Sequence, residues 1–161
     1  MMERRRSRTG EAATELILAT FRANGLLLGA GDLLGADEGL TSARWQVLGA
    51  IALAERPLTV PQIARRMGLT RQSVHATVRR LAGDGLVEFA PNVDHRRSPL
   101  VCLTELGSTK YEAIDTRQAV WVNRLARGIA RSDIETARSV LDELCQRLEA
   151  DRGDGSETGQ E

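Results

Sequence analysis

The sequence predicts a mainly α-helical protein with a small β-hairpin. Aromatic residues make up 3% of the 161 residues and apolar residues 42%, so the core must be aliphatic, which favours helices over an all-β sandwich. Apolar residues recur at helical spacing through most of the chain. Only residues 86–103 change to the partly alternating pattern that is typical of strands.

The charge distribution is uneven although the formal net charge is zero. At 161 residues the chain has the length of a single domain with one or two protruding elements. The charged segments therefore belong to one folded unit. Residues 60–103 hold seven arginines against three acidic residues, whereas residues 104–161 are acidic overall. The middle of the chain is therefore a basic island, which indicates an anionic partner.

The N-terminal third is expected to contain one helix, one loop and the start of a second helix. Residues 1–10 are predicted as a disordered basic arm, with contact to a DNA backbone as the alternative. Residues 11–39 are predicted as a helix followed by a loop, because Gly29, Gly31 and Gly35 interrupt the apolar pattern. Thr41 or Ser42 then offers an N-cap for a helix that ends before Pro57.

Two short helices follow with clear start signals. Thr59, followed by Pro and by Gln three residues after the cap, predicts a helix over residues 60–67 that ends at Gly68. Thr70 predicts the start of a second helix, over residues 71–82. Two helices separated by so short a linker form a helix-turn-helix.

A hairpin completes a DNA-binding domain over residues 40–103. Residues 86–90 and 100–103 are predicted as its strands, with a polar tip between them. A helix-turn-helix followed by a hairpin is a winged helix, whose second helix enters the major groove. The side chains predicted to contact DNA from that helix are Arg71, Gln72, Ser73, His75, Ala76, Arg79 and Arg80, and those from the wing are His95, Arg96 and Arg97.

Residues 104–150 are predicted as two helices. The segment from Ser132 to Glu135 has the spacing of a capping box. Apolar residues then follow at spacings of three and four, a narrow seam that predicts packing against another helix, as in a dimer. The residues of this seam that we assign to dimerisation are Ile134, Leu141, Leu144 and Leu148. Residues 151–161 are predicted as a disordered acidic tail.

The ordered set of motifs resembles the MarR family of bacterial transcriptional regulators. It comprises LTSARWQVL at residues 40–48, RLAGDGLV at 80–87, and HRRS at 95–98 leading to LTELG at 103–107. The resemblance implies a homodimer formed by the first and last helices, including Leu16, that binds a pseudo-palindromic operator. It also implies a repressor that responds to a small lipophilic or phenolic effector.

Two details of the resemblance concern single residues. It suggests Phe21, Trp45 and Trp121 as effector contacts, although core packing is the alternative for each. The family's wing motif places an Asp where this chain has His95, so either Asp94 braces the wing from a shifted position or the wing is held differently.

Other classes of function are less well supported by the sequence. Gly29, Gly31 and Gly35 nearly form a dinucleotide-binding fingerprint, but the spacing is one residue too long and no βαβ unit surrounds it. A winged helix used only for protein contacts is the second alternative. No cofactor, metal site or catalytic arrangement is predicted, so the protein is not expected to be an enzyme.

The expected compartment is the cytoplasm. No apolar segment follows the charged N-terminus at the spacing of a signal peptide, and no uninterrupted apolar run is long enough to cross a membrane. Cys102 and Cys145 fall in apolar surroundings, where thiols are usually inert, so no redox role is assigned to them.

Overall fold

The computed structural model describes residues 6–154, with side chains described as far as Asp151. It is mainly helical with a small antiparallel sheet, as predicted. The elements in chain order are α1 (Arg8–Gly35), a 3₁₀ helix (Ala36–Glu38), α2 (Ser42–Ala52), β1 (Leu58–Thr59), α3 (Val60–Met67), α4 (Arg71–Gly83), β2 (Val87–Ala90), β3 (Leu100–Leu103), α5 (Glu105–Leu125) and α6 (Arg131–Asp154).

Helix α1 is longer than predicted at both ends. The Ser7 side chain accepts a hydrogen bond from the amide of Gly10 at 3.0 Å and caps the helix, so residues 8–10 are helical and not part of a disordered arm. Residues 1–5 lie outside the described residues. The helix also continues through Gly29 and Gly31 to Gly35, so the predicted loop is restricted to a few residues around the 3₁₀ helix.

The glycines in the second half of α1 have a packing role that the local pattern does not show. A Cβ atom on Gly31 would overlap the Ser42 side chain, and one on Gly35 would overlap the carbonyl of Leu40. These two glycines therefore allow α2 and the segment before it to approach α1 closely. No such contact surrounds Gly29.

The start of α2 is capped from another helix. Thr41 occupies the N-cap position but its side chain makes no capping hydrogen bond. Instead, Asp32 Oδ1 on α1 accepts a hydrogen bond from the Ser42 amide at 2.6 Å. The Trp45 indole N–H donates to the carbonyl of Gly31 at 3.2 Å, which further joins α2 to α1.

The helix-turn-helix follows the predicted signals. Thr59 and Gln62 form a complete capping box at the start of α3, and Gly68 ends that helix with a φ of 63°. Thr70 Oγ1 accepts a hydrogen bond from the Ser73 amide at 3.1 Å at the start of α4. The sequence predicts the ends of both helices because capping signals act within a few residues.

The sheet contains one strand that the sequence did not predict. Strand β3 lies in the centre, with β2 on one side and the two-residue strand β1 on the other. Leu58 pairs with Val101 across β1 and β3. Two residues are too few to show a period of two, so β1 is defined only by its pairing.

The core lies between the helix-turn-helix, the sheet and α2. Its buried residues are Leu40, Val47, Leu48, Ile51, Leu58, Ile63, Ala64, Val74, Val78, Leu81, Leu86, Val87, Val101 and Ile114. This core fixes the face that α3 and α4 present to solvent, which is the face that concerns function.

The contacts within the chain divide it into two compact units, residues 1–119 and 120–161. In the second unit, α6 begins at Arg131, so Ser132 lies inside the helix and the predicted capping box does not form. Glu135 instead accepts a hydrogen bond from Arg131 Nε at 2.7 Å. Residues 151–154 are helical and not part of a disordered tail, and residues 155–161 lie outside the described residues.

Helix α1 is more apolar than its uninterrupted apolar runs indicate. The segment Arg8–Glu38 is long and apolar enough to cross a membrane by length and composition alone, and almost none of it is buried in a single chain. The length of uninterrupted apolar runs underestimates how apolar α1 is, because charged residues spread along the helix divide its apolar residues into short runs. Much of the apolar surface of α1 is thus exposed in a single chain.

Candidate nucleic-acid interface

Helix α4 presents its predicted DNA-contacting face to solvent. Val74, Val78 and Leu81 are buried on the core side, which leaves the opposite side free. All seven residues predicted from sequence on this helix are exposed: Arg71, Gln72, Ser73, His75, Ala76, Arg79 and Arg80. The helix therefore offers hydrogen-bonding side chains and a small residue, with arginines at both ends of the face.

The wing and α4 form a common groove, which we call the recognition groove. It has a volume of about 410 Å³. Its lining residues are Val60 and Pro61 of α3, Arg71, Gln72 and His75 of α4, Phe89 of β2, and Arg97, Ser98 and Pro99 of the wing. The fold thus brings Arg71 and Gln72 of α4 close to Arg97 of the wing, about 25 positions later in the sequence. The helical periodicity of the sequence could not predict this proximity.

The other predicted wing residues, His95 and Arg96, are exposed at the tip but do not line the groove. Among the described residues, no ion pair engages any of the five arginines of α4 and the wing. Their guanidinium groups are therefore available for phosphate oxygens or guanine edges, to which arginine donates bidentate hydrogen bonds.

Asn92 closes the wing. Its Nδ2 donates to the carbonyl of Ser98 at 2.9 Å, and its Oδ1 accepts from the amides of Asp94 and His95 at 3.2 and 3.3 Å. No ion pair involves Asp94 among the described residues. The wing is thus held by an amide and not by an acid–arginine pair. Sequence analysis missed Asn92, although an Asn that bonds to the backbone two residues later is a known turn signal.

Of the three predicted effector contacts, Trp45 lines one of the cavities described here. Trp45 borders a cavity of about 630 Å³ between α2, α3 and α5. The other lining residues are Gln46, Gly49, Ala50, Leu53, Arg66, Met67, Tyr111, Asp115 and Gln118. Phe21 is 70% exposed on α1 and lines none of the cavities described here, and Trp121 belongs to the second unit.

Tyr111 is a cavity residue that sequence analysis did not select. Its ring lies against Gly49, where an added Cβ would be 3.2 Å from the ring. Burial raises the pKa of the Tyr111 phenol, and the nearby Asp115 carboxylate raises that pKa further. The phenol is therefore neutral at physiological pH, and its O–H donates a hydrogen bond to Asp115 Oδ1 at 3.5 Å on the cavity wall.

The nucleotide-binding alternative does not agree with the structure. Gly29, Gly31 and Gly35 lie within α1, whereas the fingerprint requires a tight turn between a strand and a helix. The packing of α2 accounts for Gly31 and Gly35. Among the described residues, no group of three His, Cys, Asp or Glu side chains is placed to hold a metal ion.

The two cysteines differ in their surroundings. Cys102 is half-buried on β3, opposite Glu88 of β2. Burial raises the pKa of the Cys102 thiol, and the negative charge of Glu88 raises it further. Cys145 is exposed within a single chain, contrary to the expectation that it lies in apolar surroundings.

Comparison with known proteins agrees with this architecture. The MarR family model matches residues 38–98, which include the helix-turn-helix and most of the wing. The uncharacterized protein Rv2011c of Mycobacterium tuberculosis is 42% identical over 137 residues, covering 85% of this chain and 94% of that protein. The transcriptional activatory protein BadR of Rhodopseudomonas palustris is 30% identical over 106 residues, covering 65% of this chain and 61% of BadR.

A solved structure extends the similarity beyond the matched domain. The chain is similar to CouR from Rhodococcus jostii, crystallised with p-coumaroyl-CoA, with a TM-score of 0.70 and 24% identity over 76% of this chain and 86% of that one. At this identity the likeness concerns the fold. Because the likeness covers 76% of this chain, it extends beyond residues 38–98 that the family model matches. Residues 38–98 thus match the MarR family of transcription regulators, and the chain has the winged-helix fold of the solved MarR-family structures that it resembles.

Proposed function

We propose that this protein is a homodimeric, sequence-specific DNA-binding repressor whose affinity for its operator depends on a small effector. The observation that carries the DNA-binding part is the recognition groove, in which Arg71, Gln72 and His75 of α4 face Arg97 of the wing. Hydrogen-bonding groups on a helix can contact base edges, while arginines beside them neutralise phosphates.

A dimer is supported by apolar surface that a single chain leaves uncovered. Leu16 is half-buried on α1, and Ile17, Leu18 and Phe21 beside it are exposed. On α6, Leu141 and Leu144 are half-buried, while Ile134 and Leu148 are 45% and 62% exposed. Exposed apolar patches of this kind mark interaction surfaces. A twofold axis would place two recognition helices about one DNA turn apart, so we expect an inverted repeat with roughly 10 bp between half-site centres.

The cavity beside Trp45 is our candidate effector site. It lies between the helix-turn-helix and α5, and its lining includes the Trp45 indole and the neutral phenol of Tyr111. CouR was crystallised with an aromatic acyl-CoA, which agrees with a lipophilic or phenolic effector. An effector that binds more tightly to a dimer whose recognition helices are wrongly spaced would lower the fraction of dimers that can bind the operator. With DNA as the partner, the compartment is the cytoplasm.

Selection of duplexes from a random pool tests DNA binding and operator symmetry together. We expect the purified protein to enrich an inverted repeat. Its affinity should fall steeply as salt rises, with a log–log slope of about −0.9 per phosphate contact. No enrichment in dilute buffer would contradict the proposal. Salt-insensitive association with a protein would instead support the contact-module alternative.

The sign of regulation needs a separate measurement, because BadR is named as an activator. The selected operator, placed over a promoter in a purified transcription assay, should give less transcript when the protein is added. More transcript on addition would show that this chain acts as an activator, as the name of BadR says of that protein.

A further inference from the structure

The C-terminal end of the recognition helix carries an acidic residue where a helix disfavours one. Asp84 is the C-cap of α4. The C-terminus of a helix has a partial negative charge, so a carboxylate there is unfavourable unless a cation offsets it. The exposed Asp84 side chain therefore calls for an explanation other than the stability of its own helix.

A cation from α2 meets this carboxylate. The Arg44 guanidinium forms an ion pair with Asp84, and its Nη1 donates to the carbonyl of Gly39 at 3.4 Å. The two partners of the pair lie 40 positions apart in sequence. Only 21% of the Arg44 side chain is exposed, compared with 56% of that of Asp84. The guanidinium thus joins the end of α4 to the short segment at residues 36–39.

The same segment is held from its other side by α5. Lys110 Nζ donates to the carbonyl of Glu38 at 2.6 Å. Arg117 donates to the carboxylates of Glu38 and Asp37 at 3.0 and 3.3 Å. A continuous series of polar contacts therefore runs from the recognition helix through Arg44 and residues 36–39 to α5.

We propose that Arg44 is a positioning residue for DNA binding, which fixes the C-terminal end of α4 to the 36–39 segment and through it to α5. In a dimer this contact sets the separation and tilt of the two recognition helices. The inference rests on the proposed function, because it needs an operator with two half-sites.

The geometry explains why one contact at the end of α4 matters at the groove. Gln72 lies about 18 Å along the helix axis from Asp84, at a rise of 1.5 Å per residue. A tilt of about 10° around that end displaces Gln72 by about 3 Å, which is the length of a whole hydrogen bond. The pair itself is partly exposed, and such pairs contribute little to folding stability. Positioning is therefore separable from stability.

The test compares Arg44→Gln, Asp84→Asn and the charge-reversed pair Arg44→Glu with Asp84→Arg, in the full-length protein. Arg131→Gln is the matched control, because Arg131 also pairs with a carboxylate at the surface and its loss removes the same charge. Each variant is titrated with three duplexes: the selected inverted repeat, the same duplex with one half-site scrambled, and an unrelated sequence. The melting temperature is measured alongside.

We expect each single variant to lose about tenfold in affinity for the inverted repeat and less for the duplex with one intact half-site, with the affinity for the unrelated sequence and the melting temperature unchanged. The charge-reversed pair should recover most of the loss, and the control should bind as wild type. Wild-type affinity in Arg44→Gln would overturn the proposal, as would an equal loss on all three duplexes. If the wild-type protein itself binds no duplex, the proposed function fails first.

Discussion

Gln72 and Arg97 lie on the same groove but have different expected roles in DNA recognition. We expect Gln72→Ala to cost about 1–3 kcal/mol on the operator and to relax the preference at one base pair, since an amide contacts a base edge. Arg97→Ala should weaken binding to most sequences alike and reduce the salt slope by about one, since its expected partner is a phosphate. Fluorescence anisotropy with operator and mutated duplexes measures both effects. Wild-type binding by both variants would contradict the assignment of the groove.

The reactivity of Cys102 is a second prediction at the scale of a residue. Burial and the charge of Glu88 raise the pKa of the thiol above its ordinary value, so thiolate is scarce at pH 8 and alkylation should be slow. Because the folded state favours the neutral thiol, this contribution to stability is present below the ordinary pKa and is lost as the pH rises through the raised value.

Iodoacetamide labelling of a Cys145→Ser variant measures the reactivity of Cys102 alone. Glu88→Gln should accelerate labelling modestly, because it removes the smaller of the two causes. Labelling of the folded protein at the rate of the urea-unfolded chain would contradict the assigned surroundings of Cys102.

At the scale of the elements, the contact of α1 with the start of α2 requires glycine at Gly35 but not at Gly29. Gly35→Ala should destabilise the fold by about 1–3 kcal/mol, because its Cβ would overlap the Leu40 carbonyl and the backbone must move. Gly29→Ala is the matched control, since nothing lies within 4 Å of an added Cβ. In a helix it should stabilise by roughly 0.5–1 kcal/mol. Urea unfolding gives both values, and equal effects of the two substitutions would contradict this packing.

The wing depends on its turn as well as on its strands. Asn92→Ala removes three hydrogen bonds that hold the turn, so amide hydrogens near the wing tip should exchange faster while those of α3 and α4 stay protected. Asn92→Asp is the informative companion variant, because it keeps the acceptor and loses the donor to Ser98. Unchanged exchange in Asn92→Ala would show that the strands alone hold the wing.

At the scale of the whole molecule, assembly depends on the apolar seam of α6. Leu144→Asp places a charge in that seam, and we expect it to give monomers in sedimentation experiments, with loss of affinity for the inverted repeat. Gln146→Asp is the control, since Gln146 is exposed on the opposite side of the same helix. An intact dimer in Leu144→Asp would remove this seam from the interface.

The sequence by itself determined the elements of the winged helix, because their signals are local. Thr59 with Gln62, Gly68 and Thr70 mark where α3 and α4 begin and end, and the apolar spacing of Val74, Val78 and Leu81 sets which face of α4 is buried. From these, the fold class and the exposure of the seven α4 residues selected between Arg71 and Arg80 could be predicted. The motif order around them also indicated the family.

The tertiary structure alone decided which distant residues meet. The close approach that Gly31 and Gly35 allow, the pairing of Leu58 with Val101, and the ion pair between Arg44 and Asp84 all join segments far enough apart that no local pattern reports them. The cavity of Trp45 and Tyr111 has the same origin. The physical reason is that capping and periodicity act within a few residues, whereas packing selects partners through shape and charge after the chain has folded.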